Sequence, residues 1–256
     1  MRKEAQAEKQ LMSKPTLSVV VPAYNEASRL PAAIENISRY CTCQLDQDHE
    51  IIVVNDGSVD ESERCLGMLA GRIAELRVLT HRVNLGKGAA VRTGVLAARG
   101  NRILFTDADG ATPISDEAGL RKAIGDGADI AIGSRTLASS EVSRDRRWVR
   151  SMTACFFRCA VRHYLDVPHH DPQCGFKMFK SDVAKRLFQD CTETGYLFDI
   201  FILLLARKHG YKVIEIPVNW VEMPGSKVRL VRDSIRMLRG LKNIAGRVDN
   251  TLLSGK

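Results

Sequence analysis

The sequence predicts an α/β fold, a mostly parallel β-sheet flanked by helices. Two observations carry that expectation. Short apolar runs rich in β-branched residues alternate with segments of helical spacing through the first half of the chain, the pattern of parallel strands connected by helices. Three of the first four runs also end in loops rich in Asn, Asp or Gly, and in such sheets ligands bind outside the carboxyl ends of the strands.

Residues 1–15 are polar, lack the apolar core of a signal peptide and read as a flexible tail. Residues 16–248 read as one domain. LSVVVP at 17–22 is a strand of the buried parallel kind. Leu30, Ile34 and Ile37 give 28–40 helical spacing. EIIVV at 50–54 is the second strand, followed by Asn55-Asp56-Gly57-Ser58 and another helical stretch. LRVL at 76–79 is the third strand, 88–98 a helix, 103–106 the fourth strand and 129–132 the fifth. The second half breaks the alternation, with helical patterns over 146–165 and 182–209, a strand over 212–216 and a basic helix near 228–248.

A chain of 256 residues suffices for one large α/β domain with a buried core. Its net charge of +8 favours anionic partners such as nucleotide phosphates, lipid headgroups or nucleic acid. A nucleic-acid binder is disfavoured, because the cations are dispersed and no helix-turn-helix, RNP or zinc-finger signature occurs. The seven cysteines are scattered and form no CxxC pair. That excludes a zinc ribbon or thioredoxin-type motif and points to reduced thiols of a cytoplasmic protein. The longest apolar stretch, 196–206, contains Asp199 and falls well short of the roughly 20 residues of a membrane span.

In a parallel sheet the loops Pro22-Ala-Tyr-Asn-Glu26, Asn55-Asp56-Gly57-Ser58 and Asp107-Ala108-Asp109-Gly110 gather on one edge. Asp107 and Asp109, one residue apart, form an oxygen-rich pocket suited to a hard divalent cation carrying phosphates. Asp56 can accept from a uracil N–H, Asp107 from a ribose hydroxyl, and Asp109 can bind the metal. Taken singly, Asn-Asp-Gly-Ser also serves as a turn, and Asp-x-Asp as a solvated loop or helix cap. The segment 84–94, NLGKGAAVRTG, fails the dinucleotide pattern, since Val91 stands where a third glycine belongs. It also fails the P-loop pattern, since Ala89 follows Lys87-Gly88. Glycines opening a helix leave N–H groups for an anion, or simply allow tight packing.

Together PAYNE, VVNDGS, NLGKGAAVRTG, TDADGAT and IGSR resemble the family 2 glycosyltransferases of the GT-A fold, a Rossmann-like nucleotide-diphospho-sugar transferase architecture. DPQCGFK at 171–177, Phe198-Asp199 and VNWVEMPGSK at 218–227 resemble its dolichyl-phosphate β-glucosyltransferase and polyprenyl-phosphate glycosyltransferase branch. The likeness runs over about residues 16–245, with the motifs in family order.

The resemblance implies roles. Pro22, Tyr24, Glu26 and Asp56 would contact the base and ribose, with Lys87 in the same region. Asp107 and Asp109 would hold the nucleotide sugar and Mg²⁺ or Mn²⁺. Arg135 would meet an acceptor phosphate, and Asp171, Gln173 and Lys177 would line the acceptor side of the sugar, Asp171 as orienting carboxylate or base. Alone, Arg135 reads as a surface ion pair and Asp171 as a cap or a turn before proline. The implied reaction is inverting, metal-dependent transfer of a hexose, first of all glucose from UDP-glucose, onto a polyprenyl or dolichyl phosphate. GDP-mannose as donor, a soluble acceptor, or a non-catalytic nucleotide-sugar-binding role are the alternatives.

Two departures qualify the resemblance. Phe201 stands where the family often has glutamate, and no stretch resembles the branch's usual membrane-spanning anchor. Two basic amphipathic stretches offer peripheral attachment to the cytosolic face of a membrane. One is 228–242, with Val231, Ile235, Leu238 and Leu241 at helical spacing; the other is 146–164, with Trp148, Met152 and Phe156. Both also suit helices packed on the sheet with solvated charged faces.

Overall fold

The computed structural model describes residues 14–45, 48–137, 142–143, 165, 167–221, 223, 244 and 246–248. The tail over 1–13 and the basic segments over 146–164 and 228–242 lie outside the described residues.

The first half alternates as expected: β1 (Leu17–Ala23), α1 (Leu30–Gln44), β2 (His49–Asn55), α2 (Ser62–Ala70), β3 (Leu76–Thr80), α3 (Lys87–Ala97) and β4 (Arg102–Thr106). A 3-10 turn, Ile114–Asp116, leads into α4 (Glu117–Gly125) and β5 (Ile130–Ser134). Then come β6 (Val142–Ser143), β7 (Phe176–Lys180), α5 (Ser181–Asp190), α6 (Phe198–Lys208), β8 (Val213–Pro217) and β9 (Trp220–Val221).

Seven strands form one sheet in the order β3-β2-β1-β4-β7-β5-β8, while β6 and β9 form a separate ribbon. Successive side chains of a strand point to opposite faces, and the core divides accordingly. Val19, Val21, Ile51, Val53 and Leu104 pack with α1, α2 and α4. Val20, Ile52, Val54, Ile103 and Phe105 pack with α3, α5 and α6. Both faces are covered, which is why these strands read as unbroken apolar runs. Every residue of α6 from Phe198 to Ala206 is buried, and Ile244 and Val248 join the same core.

One expectation needs correction, and one strand is added to it. The helical pattern over 182–209 is two helices, α5 and α6, with 191–197 non-helical between them. Ahead of them runs β7, antiparallel to both β4 and β5. Its sequence, FKMFK, hides it: Lys177 and Lys180 interrupt the apolar run, although Lys177 is buried.

This topology places the site. Parallel β1, β2, β4 and β5 all end at one edge, and antiparallel β7 starts there. The chain moves outward from β1 to β2 and β3 and returns to the other side of β1 at β4. That reversal of order opens a crevice at the carboxyl edge.

Candidate active site

Past the end of β4, the Asp107 amide donates to Gly175 O, 3.2 Å away, just before β7. A Cβ on Gly175 would run into the Asp107 carboxylate, so glycine here leaves the place that this carboxylate occupies against the start of β7. Asp107 Oδ1 pairs with Lys87 Nζ at 2.7 Å. Lys87 opens α3, and its ammonium lies 5.3 Å from the Phe105 ring centroid. Burial disfavours the Lys87 charge, but Asp107, Asp199 and Asp109 outweigh it and raise its proton affinity. Asp109 accepts the Ala111 amide at 3.0 Å. Burial, then the neighbouring Asp107, pushes its carboxyl above the ordinary value.

Asp107, Asp109, Lys87, Arg135 and Gln173 share a cavity of about 260 Å³. Arg135 follows β5. Its Nε donates to Asp171 Oδ2 at 2.7 Å and its Nη2 to Oδ1 at 2.8 Å, while the Trp220 ring centroid lies 5.7 Å from its Cζ. Burial opposes the Arg135 charge, but Asp171 overcomes it and holds the guanidinium protonated. The fork is gripped at its edge by a carboxylate and at its face by an indole, a geometry lysine cannot reproduce.

Asp171 itself is fully buried, and both its carboxylate oxygens face Arg135 rather than the cavity. Glu215 on β8 accepts its amide at 3.0 Å and also that of His170. Lys177 lies behind the cavity wall as well, 1% exposed, with its Nζ donating to Asp199 Oδ1 and Cys174 O. Asp199 does reach the cavity. Burial raises its pKa against the opposing pull of Lys177 and Lys87.

Pro22, Tyr24, Glu26 and Asp56 sit outside this cavity, at and beyond the neighbouring ends of β1 and β2. Tyr24 is 39% exposed. Arg29 clamps the Glu26 carboxylate through Nε at 2.7 Å and Nη2 at 2.6 Å. Asp56 is buried, with four donors on its carboxylate: His81 Nδ1 and the Leu85 amide on Oδ1, and Asn84 Nδ2 and the Gly86 amide on Oδ2. In this arrangement a nucleotide base reaches Asp56 only by displacing one of them.

Phe201 lies in the core, fully buried. Two residues past Asp199 on a helix, it faces the opposite side, so the substituted position does not touch the cavity. Tyr196 and Trp220 also line the cavity, and the sequence motifs mark neither for a role. Trp220 falls within a quoted motif, but only the pairing of β9 with β6, and Val221 N donating to Ala111 O, bring it to the wall.

Among the described residues no group of three or more His, Cys, Asp or Glu gathers to hold a metal. Asp107 and Asp109 bring two carboxylates to the cavity wall, a donor set compatible with a hard cation whose other positions go to phosphate and water.

Comparison with known proteins agrees with this architecture. The model for glycosyl transferase family 2 matches residues 18–188. A dolichyl-phosphate beta-glucosyltransferase of Trichomonas vaginalis is 36% identical over 247 residues, covering 90% of this chain and 75% of that protein. The human dolichyl-phosphate beta-glucosyltransferase is 35% identical over 224 residues, covering 83% and 69%. Among solved structures, glucosyl-3-phosphoglycerate synthase from Mycobacterium tuberculosis, in complex with Mn²⁺, UDP-glucose and phosphoglyceric acid, superposes with TM-score 0.64. It is 20% identical and covers 96% of this chain and 83% of that one. Mannosyl-3-phosphoglycerate synthase from Rubrobacter xylanophilus gives TM-score 0.65 at 18% identity, covering 95% and 76%. The sheet is thus a GT-A sheet, and with the family match spanning its parallel core and β7, this chain belongs to glycosyl transferase family 2, the nucleotide-sugar-dependent glycosyltransferases.

Proposed function

We propose that the protein moves glucose from UDP-glucose onto a dolichyl or related polyprenyl phosphate, with inversion at the anomeric carbon. One observation carries the reading: the Asp107 and Asp109 carboxylates and the Arg135 guanidinium share a single cavity. A carboxylate pair suits a cation-bound diphosphate, and a fixed guanidinium fork suits a phosphate acceptor. The names of the curated relatives support the sugar and the acceptor.

Mg²⁺ or Mn²⁺, when bound, neutralises charge developing on the departing nucleoside diphosphate. Asp109 and Asp107, the DXD pair, would hold it, and Lys87 beside Asp107 would screen the diphosphate. Pro22, Tyr24, Glu26 and Asp56 form the base and ribose side. Arg135 orients the acceptor phosphate, with Gln173 on the same wall. A phosphate monoester has a second pKa of about 6 and is largely dianionic at pH 7, so positioning matters more than deprotonation. That suits Asp171, whose carboxylate oxygens are engaged by Arg135, as an orienting group. Residues 16–248 act as one domain, placed at the cytosolic face of a membrane by the basic segments 146–164 and 228–242. No helix among the described residues is long and apolar enough to cross a membrane.

The test is transfer of radiolabelled sugar from UDP-glucose into an organic-extractable product, with a short polyprenyl phosphate, Mg²⁺ or Mn²⁺, and an EDTA control. Metal-dependent labelling of the lipid is expected. Binding of UDP-glucose without labelling would discard the lipid acceptor. Labelling from GDP-mannose instead would discard the donor.

A further inference from the structure

The carboxylate that the sequence assigns to the nucleotide base is the buried hub of a partly buried relay. Asp56 lies just past β2, and its oxygens take the amides of Leu85 at 2.9 Å and Gly86 at 2.9 Å. These residues immediately precede Lys87, the first residue of α3. Gly86 stands at φ 101°, has no side chain to cap the helix, and is backed by Thr194 O, which also accepts the Ala89 amide. The turn is therefore held from the β2 side by Asp56.

Asp56 is in turn held by His81, whose Nδ1 lies 2.7 Å from Oδ1. A carboxylate only accepts, so Nδ1 carries the hydrogen. In neutral imidazole Nε2 then accepts, and the Thr93 hydroxyl on α3 lies 2.9 Å from it. The chain of contacts runs from Thr93 through His81 and Asp56 to the turn and ends at Lys87, whose ammonium is paired with Asp107. It leaves α3 and returns to its first turn, which couples the helix to the position of its own leading lysine.

We propose that His81 and Thr93 are positioning residues for the donor diphosphate: through Asp56 they set the 84–86 turn, and with it the Lys87 ammonium at the edge of the cavity. This rests on the reading of Lys87 as a donor-side residue.

Hydrogen exchange of the peptide spanning 83–86 reads the turn without any substrate, and the KM for UDP-glucose reads its use. In His81→Ala, exchange of that peptide accelerates about tenfold or more, as loss of a charge-assisted hydrogen bond implies. Donor KM rises by a similar factor while acceptor KM holds and kcat changes less. His81→Asn, whose amide can replace the Nδ1 donor, restores both. Thr93→Val, close to isosteric and leaving His81 in place, shifts both in the same direction by a smaller factor, and carries the test if His81→Ala does not fold. Unchanged exchange in these variants overturns the relay, as does a parallel rise of both KM values that His81→Asn fails to relieve. Accelerated exchange in a protein whose wild type does not use UDP-glucose supports the relay and overturns the donor assignment instead.

Discussion

Arg135 and Lys177 are both cations paired with a buried aspartate, yet their surroundings give them different work. Arg135 reaches the cavity with its fork held by Asp171 and its face against Trp220. Arg135→Lys keeps the charge but loses the two-point geometry, so acceptor KM should rise about tenfold or more with donor KM little changed, read by transfer kinetics at saturating donor. Lys177 lies behind the wall against Asp199. Lys177→Met leaves a buried carboxylate unpaired and should destabilise the fold by about 3–5 kcal/mol in denaturant melts. Adding Asp199→Leu removes the stranded charge and should recover most of that loss, but not activity, because Asp199 also lines the cavity. The residue types of both pairs stand in the sequence; their pairing does not, because the partners lie 36 and 22 positions apart.

β7 shows how one strand assembles a site. Running opposite to β4, it brings Gln173, Cys174 and Gly175 to the edge where β4 delivers Asp107 and Asp109. Gly175→Ala forces the Asp107 carboxylate aside, since the new methyl would occupy its place. The displaced group is a side-chain end that can swing, so melting should change little. Misplacement of the carboxylate should lower kcat/KM about tenfold or more, with Asp107 drawn away from Lys87. β1, β2 and β4 were readable because their apolar runs are local and unbroken. β7 was not, because Lys177 is polar in sequence and acceptable in a strand only once Asp199 arrives from α6 to neutralise it.

At the scale of the molecule, the charges around the cavity and a second buried cluster sit at opposite ends of the sheet. At the end away from the cavity, Glu50 is buried and accepts from Ser18, the Arg99 amide and Arg77. Burial raises its pKa, but these donors prevail and hold it below the ordinary 4.5. Beside it His49 is buried, with neither ring nitrogen partnered among the described residues, and burial holds its pKa below 6.5. Its neutral form is the stable one, so its contribution is full above 6.5 and is lost as pH falls through its folded value. Glu50, ionised when folded, adds a second loss as pH falls from 4.5 through its own lowered value. Denaturant melts from pH 8 downward should show a smaller first step for His49→Leu than for the native protein, with His169, also held below 6.5 by burial, supplying the rest. By itself the sequence determined the alternating strands and helices, the carboxylate loops at their ends and the family, because each is written in the period and motif of one continuous segment. Only the tertiary structure decided that Asp171 serves Arg135, that Asp56 serves the turn before Lys87, and that Phe201 turns to the core. Those choices depend on which distant loops the sheet brings to one edge, and on burial, which makes an unpaired charge too costly to leave without its partner.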